Sequence, residues 1–126
     1  MLVLDSGAVS RLAERSRRSV ALIATLRTAG SWPPVVPAPV LIEALHGHAG
    51  RDAQTNRLLK VCNVIEQVPE KLARRAALLR YLARRGSAID ALVVAMAEPG
   101  GTVLTTDLAD LRALAAHASD VLIERI

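Results

Sequence analysis

Eleven residues constrain this chain more than any others: Ser87 to Ala97, Ser-Ala-Ile-Asp-Ala-Leu-Val-Val-Ala-Met-Ala. After Ser87 every side chain is apolar except Asp90. A helix that is hydrophobic all round belongs inside a protein. A carboxylate there is expensive to bury unless it is paired, protonated or bound to a cation. The stretch therefore demands a packed interior on all sides and raises the question of what meets Asp90.

The interior has to be aliphatic. Hydrophobic residues form 52% of the 126, but aromatic residues only 2%, so Leu, Val, Ile and Ala supply the core. That composition suits helices packed on a buried parallel sheet, whose strands read as plain apolar runs. The length predicts a single domain over residues 1–126. The lone cysteine, Cys62, excludes an internal disulfide and a cysteine-built zinc site, which is simplest in a reducing cytoplasm. Met-Leu-Val-Leu-Asp does not read as a signal peptide, and no apolar run is long enough to span a bilayer, so no membrane partner is expected. The formal net charge is +4, nearly all of the basic side chains being arginine. An anionic partner accounts for this, and so does arginine-favouring codon usage.

Taken in order, Leu2-Val3-Leu4 reads as a buried strand ending at Asp5, with Ser6-Gly7 as a turn. Helices follow at Ala8 to Arg15 and Arg18 to Thr28, then a proline loop whose Trp32 covers the core. Val35-Val36 is a second strand, and a helix from Val40 to about His46 stops at Gly47. Asp52 to Val61 is helical, Asn63 to Val68 a strand, and Pro69 opens a longer arginine-rich helix ending at Gly86. Ser87 caps the apolar helix. Thr102 to Thr105 is a strand, Asp107 caps a last helix to about His117, and Val121 to Ile123 is the final strand. Short apolar strands alternating with helices argue for α/β architecture with a parallel sheet.

In such sheets, sites gather at the carboxyl ends of the strands. Asp5 directly follows the first strand, Asp107 the fourth, Glu43 sits on the helix entered after the second, and Asp90 lies in the first turn of the apolar helix. Each has a plainer reading. Asp107 with Asp110 resembles a capping box, Asp5 an Asx-turn, Glu43 a surface ion-pair member, and Asp90 a stabiliser of its helix N-terminus. One shared cause explains all four: a divalent cation relieving the repulsion of converging carboxylates. All-oxygen ligands select Mg²⁺ or Mn²⁺. His46, His48 and His117 lack helical zinc spacing and read as surface residues. A carboxylate-held divalent ion suits phosphoryl chemistry, which leads to a metal-dependent phosphodiesterase or phosphatase.

Four fragments, in this order and spacing, make the whole chain resemble PIN-domain ribonucleases, and within them the VapC toxins of bacterial toxin–antitoxin pairs. They are Leu-Val-Leu-Asp-Ser, Val-Leu-Ile-Glu-Ala-Leu, Ile-Asp-Ala-Leu-Val-Val-Ala-Met-Ala and Val-Leu-Thr-Thr-Asp-Leu-Ala-Asp-Leu. The resemblance implies a three-layer α/β/α fold with a five-stranded parallel sheet in the order 3-2-1-4-5. It implies an acidic quartet on Asp5, Glu43, Asp90 and Asp107. Asp5, Asp90 and Asp107 would hold Mg²⁺ or Mn²⁺, with Glu43 completing the cage or orienting water. Ser6, Thr105 and Asp110 fall on supporting positions. It further implies cleavage of an RNA substrate (transfer or ribosomal), a homodimer, and a VapB-type antitoxin partner. Gly7 departs from the pattern, which commonly has Ser, Thr or Asn there; Ser6 is then left to orient Asp5.

Other folds with an acid after the first strand fit less well. A haloacid-dehalogenase-type phosphatase wants a second Asp where Gly7 stands. A receiver domain wants an early acidic pair and a late lysine, and dinucleotide binding wants a Gly-x-Gly-x-x-Gly turn. The rival from another class is a non-catalytic PIN-fold domain that binds a partner or RNA; the intact quartet speaks against it.

Overall fold

The computed structural model describes all residues from Met1 to Ile126. The elements run β1 (Leu2–Leu4), α1 (Ser6–Ala13), α2 (Arg17–Thr28), β2 (Val35–Pro37), α3 (Val40–Ala44), α4 (Ala53–Leu59), β3 (Asn63–Ile65), α5 (Glu70–Ala83), α6 (Ala88–Ala97), β4 (Thr102–Thr105), α7 (Ala109–Ala115) and β5 (Leu122–Arg125). All strand pairs are parallel, in the order β3-β2-β1-β4-β5. This is the α/β architecture and the order that the sequence resemblance implied.

The chain steps one way from β1 to β3, then jumps back to β4 and continues to β5. Right-handed crossovers therefore put α1–α4 on one face of the sheet and α5–α7 on the other. The contacts agree: α1 packs on α2, α3 and α4, while α5, α6 and α7 pack on one another. The sheet's central strands are buried on both faces, Val3, Leu4, Val36, Val103 and Leu104 being almost wholly inaccessible.

The apolar stretch does what its composition requires. Ala91 to Ala97 are all buried, and α6 lies against β1, β2 and β4. Its C-terminus meets the start of the sheet so closely that a Cβ on Gly101 would collide with the carbonyl oxygen of Ala97 and touch that of Met1. Because α6 leads into β4, its N-terminus lies at the carboxyl ends of the strands, and Asp90 with it.

Several boundaries differ from the sequence reading. β3 stops at Ile65 rather than Val68, because its only neighbour, β2, ends at Pro37, the residue paired with Ile65. The α3 helix ends at Ala44, short of His46. The backbone N–H groups of His46, Gly47 and His48 turn instead to the buried Asp52 carboxylate, at 2.9, 2.8 and 3.1 Å. α7 starts at Ala109 with Leu108 at its N-cap, so Asp107 stands one residue further out than expected. No helix is long and apolar enough to cross a membrane.

Candidate functional site

Strand order reverses between β1 and β4, and ligand-binding crevices form at such switch points. Two side chains meet there. Asp5, directly after β1, and Thr105, the last residue of β4, are both buried, and the Thr105 hydroxyl donates to Asp5 Oδ2 at 2.5 Å. Asp5 is also the N-cap of α1, its Oδ1 accepting from the Ala8 backbone N–H at 2.8 Å. One carboxylate thus closes a helix start and crosses the sheet seam. The bonds that orient it come from Ala8 and Thr105, not from the Ser6 hydroxyl.

Burial raises the Asp5 pKa from its ordinary value, against the two hydrogen bonds; the nearby charges of Asp90 and Glu43 push it further the same way. Asp5, at the β1–α1 junction, therefore feels the carboxylates that α3 and α6 bring to this rim. Asp107 is tied in through the backbone: its N–H donates to Thr105 Oγ1 at 2.9 Å, so the hydroxyl that holds Asp5 also fixes the start of the β4–α7 loop. Its carboxylate is exposed, accepting from the Ala109 N–H at 3.3 Å.

Asp90 has a structural duty as well. Ser87 caps α6 by accepting the Asp90 N–H at 3.0 Å, and Asp90 Oδ2 accepts the Ser87 N–H at 3.1 Å. This is a reciprocal capping box. The Ser-x-x-Asp spacing signals it in the sequence, and it joins the Ser87 cap to the helix-stabilising reading of Asp90. The box uses one carboxylate oxygen and leaves Asp90 half-buried at the rim, with Oδ1 making no protein hydrogen bond. Asp110 is engaged elsewhere, pairing with Arg85 at 2.7 Å.

As placed, these side chains do not draw three or more ligating groups onto one point as a closed metal cage. Their donor chemistry nevertheless fits a hard divalent cation. The set is all oxygen, and one member, Asp5, has its charge disfavoured by burial and then by its acidic neighbours. Asp5, Asp90 and Glu43 are the groups that could hold such an ion, with Asp107 at the edge.

The arginines of α5 are mostly occupied. Arg74 pairs with Glu70, Arg75 grips Glu98 through two bonds at 2.7 and 2.8 Å, and Arg80 donates to the Gly86 carbonyl. Only Arg75 and, just beyond the helix, Arg85 on Asp110 tie this segment to its neighbours, and Arg84 at the helix C-cap has no protein partner. His46, His48 and His117 are exposed, as the sequence reading had them. Burial pushes the half-buried Cys62 thiol up to about 11, leaving it protonated and unreactive at neutral pH.

Two solved structures share this fold. PAE2754 from Pyrobaculum aerophilum superposes with a TM-score of 0.62 at 19% identity, covering 97% of this chain and 89% of its own. FitAB, solved bound to an IR36 DNA fragment, superposes at 0.65 with 20% identity, covering 99% of this chain and 94% of the other. The fold is PIN-like. No protein-family model matches the sequence, and no curated protein matches it. The PIN-like fold is thus carried by the strand order, by the position of Asp5 and Thr105 at the switch point, and by structural neighbours of low identity.

Proposed function

We propose that this PIN-like protein is the toxin of a VapBC-like toxin–antitoxin pair, a Mg²⁺- or Mn²⁺-dependent endoribonuclease acting on transfer or ribosomal RNA. The observation that carries this reading is the buried Asp5. It is held by Ala8 and Thr105 at the sheet's switch point, with its charge disfavoured first by burial and then by Asp90 and Glu43. Carboxylates so arranged have a use for a cation that most structural roles lack. A bound divalent ion would polarise the scissile phosphate and lower the pKa of attacking water.

The chain's own residues then have distinct tasks. Asp5, rigid on two hydrogen bonds, sets the fixed point of the site. Asp90 keeps one carboxylate oxygen free of protein hydrogen bonds in the first turn of the buried α6 helix. Glu43 on α3 and Asp107 in the β4–α7 loop are both exposed, and either could complete the ion's shell or orient and deprotonate the attacking water. In-line attack forms a new P–O bond as the P–O3′ bond breaks. By the family resemblance the products carry a 5′-phosphate and a 3′-hydroxyl.

The partner in this reading is a small DNA-binding antitoxin. A groove of about 310 Å³ between α1, α2 and α4 is lined by Leu12, Val20, Ile23, Trp32 and Leu58 and rimmed by Arg15, Arg27 and Arg57. Arg27 stacks over Trp32 at 5.6 Å. An amphipathic antitoxin segment carrying acidic residues would fit it in shape and charge. Leu78, Tyr81 and Leu82 form an exposed apolar face on α5 that the proposed homodimer would bury.

The test is direct. Purified protein with Mn²⁺ should cut cellular RNA at few positions, leaving 5′-phosphate ends. EDTA or Asp5→Ala should abolish the cutting. Cleavage that survives either treatment would falsify the assignment.

A further inference from the structure

The first turn of α1 runs unusually close to the end of β4. A Cβ on Gly7 would overlap Thr106 Oγ1, stand 3.3 Å from Thr106 Cβ and lie 3.5 Å from Asp5 Oδ1. Gly7 sits in an ordinary helical conformation, so backbone geometry does not require glycine; the approach of Thr106 does. Thr106 is half-buried, and its hydroxyl makes no hydrogen bond to the protein, whereas the neighbouring Thr105 hydroxyl is fully engaged with Asp5 and Asp107. A free donor beside a buried carboxylate, reached over a residue without a side chain, is available to something bound at the rim.

We propose that Thr106 is a phosphate-contacting residue of the acidic site. Its hydroxyl projects across Gly7 and donates to a non-bridging oxygen of the phosphodiester seated against Asp5. The contact aligns that phosphate for attack and rests on the phosphodiesterase reading above. Gly7 is then part of the same device: any side chain there forces the hydroxyl to rotate out of the site. A pure packing role for Thr106 would be served equally by valine, which has the same shape and no donor.

The experiment compares RNA cleavage and melting for the wild type, Thr106→Val, Thr106→Ser, Gly7→Ala and the Gly7→Ala/Thr106→Ala double variant, in which no γ atom is left to collide with the new Cβ, all with Mn²⁺. Thr106→Val should lower kcat about tenfold, the usual effect of losing one hydrogen bond to a charged acceptor, with an unchanged melting temperature. Thr106→Ser should stay within about twofold of wild type, since it keeps the donor. Gly7→Ala should also lose activity, and the double variant should be no worse than the poorer single variant, because both remove one contact. Wild-type cleavage by Thr106→Val, or fully additive losses in the double variant, overturns the contact while leaving the activity standing. A wild-type protein that cleaves no RNA overturns the broader reading and this contact with it.

Discussion

Asp5 shows how much a single side chain can be asked to do. Its carboxylate caps α1, crosses to β4 and carries a raised pKa, all within one buried turn. Asp52 presents the opposite electrostatics: backbone N–H groups of His46, Gly47 and His48 hold its pKa below the ordinary carboxylate value. A carboxylate with a depressed folded pKa stabilises the fold above its unfolded pKa, and that stability is lost as pH falls through the folded one. Asp52→Asn should therefore lower the melting temperature at pH 7. The gap to wild type should close as the buffer is taken below Asp52's depressed pKa, because both side chains are then neutral. A gap that is independent of pH would show that the charge is not what holds the loop. The carboxylates of the quartet were legible as residues, since each sits at a strand end or in an otherwise apolar setting. Thr106 was not, because an exposed-looking threonine gains meaning only when the chain brings Gly7 against it.

Helix α6 owes its order to both ends. Its first turn is closed by the reciprocal bonds of Ser87 and Asp90, and its last lies against the Met1 and Gly101 backbone. Ser87→Ala should cost about 1 kcal/mol, the typical loss for an N-cap, which for a domain of this size is roughly 3–6 °C in melting temperature. Thermal melting by circular dichroism reads this directly, and an unchanged midpoint would deny the cap its role. Element types were readable from apolar spacing and cap residues, and α2, β1, β4 and α6 fall close to where the sequence puts them. Ends were less readable wherever a distant group set them. β3 is cut short by the length of its neighbour, and α3 by the Asp52 side chain eight residues beyond its last helical position. The arginines in and just after α5 illustrate the same point. Their number is visible in the sequence, but the bond from Arg75 to Glu98 spans 23 positions, and that from Arg85 to Asp110 spans 25.

Across the whole molecule, ligand linkage tests the site without relying on turnover. If the rim binds Mn²⁺, millimolar ion should raise the melting temperature, by an amount that grows with the logarithm of concentration above Kd. Asp90→Asn keeps the shape of the side chain and should largely erase that rise; a full response in the variant would remove Asp90 from the site. What the sequence determined by itself was local: the apolar α6 helix, the aliphatic strands of a parallel sheet, and acids at the ends of β1 and β4. Those follow from solvation and short-range periodicity, which act within a few residues. What only the tertiary structure decided was which groups meet. Strand order puts Asp5 beside Thr105, 100 positions away, and makes Asp90 and Glu43 raise the Asp5 pKa. Such contacts depend on the sheet closing in one order, which is a property of the whole packed chain. Asp90, a single acid among apolar residues in the sequence, is in the fold both half of a helix cap and one side of an acidic rim.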